Sequence, residues 1–138
     1  MTFTKHQKHR RSNPVPWVKI GISGRGTEYL RATITMSRAV CEHLGVNVGE
    51  QVEFGLGSGS DKGWMEIRRS TDGEGYTLQA RGSRDGTLQW AVTAGALGAK
   101  KKHPTVKITN DDMRVIMTKY RGCMMARVEI PESIIEEE

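Results

Sequence analysis

WVKIGISGRGTEYLRATITMS (17–37) and GYTLQARGSRDGTLQWAVTAG (75–95) decide the fold of this chain. Each reads as an alternating strand, a Gly/Arg-rich turn and a second alternating strand. In the first stretch Val18, Ile20 and Ile22 alternate with Lys19 and Gly21. Beyond the turn, Leu30, Ala32, Ile34 and Met36 alternate with Arg31, Thr33 and Thr35. Successive side chains of a strand point to opposite faces, so this pattern marks strands with one buried face. Working outward, a short helix-like segment closed by Leu-Gly follows each stretch, at Leu44-Gly45 and at Leu97-Gly98. A strand (QVEFGL, 51–56; TVKIT, 105–109), a turn and a last strand (GWMEIRRS, 63–70; DMRVIMTKY, 112–120) complete each unit. A pattern that occurs twice predicts two halves sharing one core around a pseudo-two-fold axis.

The two units differ in detail. Ser37 is placed to cap a helix over Ser37–Leu44, its hydroxyl accepting a free first-turn amide, and Gly45 supplies the left-handed residue that ends it. The second unit offers only Ala94–Leu97, barely one turn and interrupted by Gly95. Gly55–Gly63 reads as a flexible hairpin connection, whereas Asn110-Asp111 predicts a tight turn at the same place in the second unit. The strand around Val115, Ile116 and Met117 is apolar enough for burial on both faces, and Met124–Ile130 adds one more strand before Pro131. The expectation is a mostly β protein with one or two short helices. A flexible basic arm (1–16) precedes one β-rich domain (17–130), made of pseudo-repeats 17–70 and 75–120 plus a final strand, and an acidic tail (131–138) follows.

Composition narrows the function. The chain has 138 residues, enough for one domain with a core, and its 36% apolar content with 6% aromatic predicts a small aliphatic one. No run of 18 apolar residues predicts a membrane span, and the basic N-terminus lacks the apolar stretch of a secretory signal. Cys41 and Cys123 form no CxxC motif, so two reduced, packed thiols in a cytoplasmic protein are expected. Net charge is +5, unevenly spread. Residues 1–12 carry Lys5, Lys8, Arg10 and Arg11 without an acid, while residues 129–138 carry five Glu without a base. A basic arm on a basic body is a common footprint of nucleic-acid binding, and a solvated terminus is the alternative.

Catalytic sets are missing. No GxSxG, Walker loop or HExxH occurs, and the four histidines are scattered. Ser58 and Ser60 lie in a Gly/Ser loop that cannot hold a nucleophile, and Asp111-Asp112 fits turn chemistry better than metal binding. No enzyme activity, cofactor or metal is therefore expected. Trp17, Trp64 and Trp90 read as core or rim packing, and His43 as a surface residue.

The segment ITMSRAVCEHLGVNVGEQVEF (34–54) resembles the AbrB/MazE/SpoVT swapped-hairpin family of cradle-loop barrels. The residues that carry the likeness are Ile34, Met36, Leu44, Gly45, Gly49-Glu50, Val52 and Phe54, and the returning strand GWMEIRRS also fits. The family's Pro at the strand–helix junction is replaced by Met36-Ser37. The second unit has Lys101-Lys102-His103-Pro104 in place of the Gly-Glu turn. The resemblance implies tandem AbrB-like hairpin units building one barrel within a single chain, where the family usually pairs two chains. It implies a DNA-binding transcriptional regulator, with Arg25, Arg31 and Arg38 in the first unit and Arg81 and Arg84 in the second approaching double-stranded DNA.

The residues support the same reading on chemical grounds. Arg25 lies between two glycines, Arg31 on a polar strand face, and Arg81-Gly82-Ser83-Arg84 offers two guanidiniums and a hydroxyl on one turn, a suitable phosphate grip. Each also fits a solvated turn arginine. Lys100, Lys101 and Lys102, with Lys5, Lys8, Arg10 and Arg11 of the arm, would add phosphate contacts. The alternative is a protein-binding module, an antitoxin or phage-type inhibitor of a host protein, whose acidic tail (Glu129, Glu132, Glu136–Glu138) docks on a basic partner. Exposed strand edges would also allow a homodimer.

Overall fold

The computed structural model describes residues 15–24, 30–80, 86–99, 102–109 and 114–135. It contains β1 (Trp17–Ser23), β2 (Arg31–Met36), α1 (Arg38–Leu44), β3 (Gln51–Leu56), β4 (Trp64–Arg69), β5 (Tyr76–Thr77), β6 (Gln79–Ala80), β7 (Leu88–Thr93), β8 (His103–Thr109), β9 (Val115–Tyr120), β10 (Cys123–Glu129) and α2 (Glu132–Ile135). The strands form two five-stranded sheets, ordered β6-β7-β2-β1-β8 and β5-β3-β4-β10-β9, with every pairing antiparallel. The protein is mostly β, as its alternating patterns predict.

The alternation fixes which face is buried. Val18, Ile20, Ile22, Ala32, Ile34 and Met36 are all at most 2% exposed, and they join Val52, Met65, Ile67, Ala126 and Val128 of the second sheet in one core. Phe54, Tyr76 and Trp90 add an aromatic cluster, with ring centroids 5.3–5.7 Å apart. Between β2 and α1, the Ser37 hydroxyl accepts the Val40 amide at 3.4 Å, and Gly45 closes the helix at φ 72°. Thr93 precedes a single 3₁₀ turn, Ala94–Leu97, closed by Gly98, so the second unit retains a turn where the first has a helix.

Pairing across the two units is exchanged. β3 of the first unit pairs with β5 of the second, and β8 of the second pairs with β1 of the first. At the centre β2 pairs with β7. Aligning the residues before each helical turn places Met36 on Val92 and Ile34 on Trp90. Ile34 and Trp90 are also direct cross-strand partners.

The last strands depart from this pairing pattern. A β8–β9 hairpin about Asn110-Asp111 is the sequence expectation, yet β8 and β9 lie in different sheets; residues 110–113 are outside the described residues. β9 pairs instead with β10, which lies between it and β4. As the edge strand, β9 leaves Ile116 37% exposed, so burial on both faces is not realised. β8 is likewise an edge. At the opposite corner β5 and β6, separated only by Leu78, link the two sheets. After β10 the chain turns back onto the core, where Ile130, Pro131 and Ile134 are buried.

Candidate nucleic-acid interface

The five strands of the first sheet contain no Asp or Glu. Because Val18, Ile20 and Ile108 face the core, their neighbours Lys19 and Lys107 stand on the outer face, where they are direct cross-strand partners. Like charges opposite one another destabilise a sheet. No carboxylate of these strands relieves the pair. Instead both ammonium groups rest over the half-buried Trp17 ring, at 4.9 Å (Lys19) and 5.2 Å (Lys107) from its centroid. Such contacts contribute about 0.5–1 kcal/mol at exposed sites. The Trp17 backbone is itself fastened at both ends: its N–H donates to the Ser37 hydroxyl at 3.1 Å, and its carbonyl accepts the Ser37 N–H at 3.0 Å. The helix cap that the sequence predicts therefore also positions this indole.

The second sheet is built the opposite way. Glu53 pairs with Arg68 (3.1 Å), Glu66 with Arg127 (3.2 Å) and Glu129 with Arg114 (3.2 Å), so every glutamate in its strands has an arginine. Just before β3, Glu50 pairs with Arg69 at 2.9 Å. Exposed pairs of this kind stabilise a fold by about 0.2–1 kcal/mol at most, but they leave the face close to neutral. The strands of one face are charge-compensated, and those of the other carry cations without a carboxylate.

A groove of about 670 Å³ runs beside Lys19 on the basic face. Lys19, Lys102 and His103 bring positive or protonatable nitrogen to it, Ser23, Thr33 and Thr105 bring hydroxyls, and no acid lines it. Gly21 makes the close approach possible, since a Cβ there would lie 2.7 Å from the Thr105 hydroxyl. Across the β2–β7 seam a smaller groove of about 250 Å³ holds Arg31, Gln79 and Gln89 and no lysine. The face is therefore strongly basic on its β1–β8 side and mostly neutral-polar on the other.

The chain matches no known protein family, curated protein or solved structure.

Of the arginines and lysines that the sequence singles out, Arg31 lies exposed on the basic face and Lys102 lines its larger groove. Arg38 does not join them. It sits on α1, paired with Glu42 at 3.1 Å, and its aliphatic stem lies beside Gly86. Arg25, Arg81, Arg84, Lys100, Lys101, Lys5, Lys8, Arg10 and Arg11 lie outside the described residues. Sequence reading missed Lys19 and Lys107, whose significance comes from facing each other, and it placed Trp17 with the packing residues. Their signal was present, because each occupies the polar phase of an alternating strand.

The remaining chemistry is structural. Burial pushes the Cys41 thiol up to about 11, whereas Cys123 is exposed, so only one of the two cysteines is packed. His43 is half-buried, with Nε2 at 2.9 Å from the Thr118 carbonyl and 3.0 Å from that of Met125; it ties α1 to β9 and β10 instead of facing solvent. The Asp72 carboxylate is held below its usual range by the Glu74 amide and the Ser70 hydroxyl, in a turn after β4. Among the described residues no cluster of His, Cys, Asp or Glu could hold a metal, and no helix is long and apolar enough to cross a membrane.

Proposed function

We propose that this chain is a DNA-binding regulator that grips duplex DNA with the outer face of the first sheet and performs no catalysis. The observation that carries the reading is the facing pair Lys19 and Lys107 in a sheet without a single carboxylate. That arrangement costs the fold stability and is relieved by a polyanion. Arg31 and Lys102 extend the same face, and the hydroxyls around the groove are suited to phosphate oxygens. Arg25 follows β1 in the chain, and Arg81 and Arg84 lie between β6 and β7, outside the described residues.

The same proposal takes the chain as a fused AbrB-like pair with swapped hairpins. Its support is the exchange of β3 and β8 between the units about the Ile34–Trp90 pair. The protein-capture reading has less support: Glu129 is engaged by Arg114, and the chain at Ile130–Ile134 is anchored in the core.

Fluorescence-anisotropy titration of a labelled mixed-sequence duplex tests the reading. Each phosphate neutralised adds about −0.9 to the slope of log affinity against log salt, so Lys19, Arg31, Lys102 and Lys107 together give about −3.6. Absence of binding at low salt would end it.

A further inference from the structure

The geometry points to a second binding mode on this face: Trp17 is a stacking platform for an unpaired base, and a single DNA strand lies along β1 from Trp17 into the Lys19 groove. This rests on the DNA-binding reading above and adds to it the form of DNA that the β1–β8 side prefers.

Three observations meet at Trp17. Its indole stands on the outer face of a sheet, half-buried, on a backbone locked by two hydrogen bonds to Ser37. Aromatic rings presented by a rigid sheet are the usual means of holding unstacked bases, because every base offers a π-face. Second, the ring's present neighbours are the two lysine ammonium groups. A lysine on an exposed ring is held more weakly than a stacked base, so a base displaces it, and the freed ammonium groups reach the flanking phosphates on flexible stems. Third, the groove begins at Lys19 and continues past Gly21 to Ser23 and Lys102. Gly21 lies four steps along the strand from Trp17, about 13 Å at 3.3 Å per residue. That length accommodates a base at one end and the sugar–phosphate chain along the hydroxyl-lined groove. A base-paired duplex cannot use the platform, since its bases are already stacked on one another.

Among the described residues, the groove across the β2–β7 seam holds Arg31, Tyr76, Gln79 and Gln89 and no lysine. The proposal therefore places the strand on the β1–β8 side, where two lysines flank the platform.

The test uses the full chain, oligo-dT, oligo-rU and a mixed duplex, with tryptophan fluorescence and anisotropy read together. Oligo-dT is expected to quench part of the emission. The quench is lost in Trp17→Phe, which keeps a ring for stacking and leaves Trp64 and Trp90 as the remaining emitters, while affinity stays within a few-fold. Trp17→Ala is expected to weaken oligo-dT about 5- to 150-fold, the loss of one stacked base, and to leave duplex affinity nearly unchanged. Quenching that persists in Trp17→Phe, or equal affinity of Trp17→Ala and the parent for oligo-dT, overturns the proposal. Tighter binding of oligo-rU than oligo-dT overturns the assignment to DNA. Salt-dependent duplex binding without any response to oligo-dT removes this inference and leaves the DNA-binding reading standing; no binding by either form removes both.

Discussion

Ser37 joins three parts of the molecule through one side chain and one amide. Its hydroxyl accepts the Val40 amide at the start of α1 and the Trp17 amide at the start of β1, and its own N–H meets the Trp17 carbonyl. Ser37→Ala is expected to cost about 1 kcal/mol in chemical denaturation, the usual loss of a helix cap, and to raise the mobility of the Trp17 indole in anisotropy decay. An unchanged stability together with an unchanged Trp17 signal would contradict this role. The cysteines give a second residue-scale test. At pH 8 a thiol reagent should label Cys123 alone in the native protein and both cysteines after denaturation, because the thiolate is the nucleophile and burial suppresses it at Cys41. The folded state retains the Cys41 proton that an unfolded thiol releases near 9.0. The Cys41 contribution is therefore complete below pH 9 and falls as pH rises towards about 11. At this scale the sequence was a good guide to Ser37 and Gly45, whose roles are local, and a poor one to His43 and Cys123. Those two depend on where β9 and β10 lie, and no neighbour in the chain reports that.

The strands themselves were legible because alternation is a property of the strand alone. The apolar residues of Val18–Ile22 and Ala32–Met36 are buried as their sequences predict, and Thr35 is buried with them. Partnership was not legible, because TVKIT alternates in the same way whether it pairs with β1 or with β9. One local signal did point to the outcome. Pro104 has no N–H to give to a ladder and so fits an edge strand, and it lies where the β1–β8 register shifts between Ile20 and Ile22. The seam between β2 and β7 is the corresponding long-range feature, and Trp90 fills it. Trp90 is 2% exposed, pairs with Ile34 and lies against Phe54 and Tyr76, so it joins the seam to the corner where the sheets meet. Trp90→Ala should destabilise the fold by about 3–5 kcal/mol in urea titration. A loss below about 1 kcal/mol would show that the seam does not hold the two units together.

On the scale of the whole molecule, charge is divided between the two sheets. The β3–β4–β10 face pairs its glutamates with arginines, while the β1–β2–β7–β8 strands carry cations and neutral side chains without a carboxylate. Net charge and the basic arm announce a polyanion partner in the sequence, but not which surface meets it; the uneven division appears only when strands far apart in the chain are assembled. The division makes two effects of opposite sign. Removing Lys19 and Lys107 relieves a repulsion and should leave the free protein as stable as before or slightly more so, within about 1 kcal/mol. The same change should weaken the nucleic-acid complex.

The measurement that tests this most directly compares two charge-matched variants for duplex affinity across a salt series. Lys19→Gln with Lys107→Gln removes two charges from the basic face, whereas Lys62→Gln with Lys119→Gln removes two exposed charges elsewhere. The account predicts that the first variant loses affinity at low salt and that its log–log salt slope falls by about 1.8, two phosphate contacts. The second should keep the parent slope. Equal losses in the two variants, or an unchanged slope in the first, would contradict the claim that this face holds the DNA.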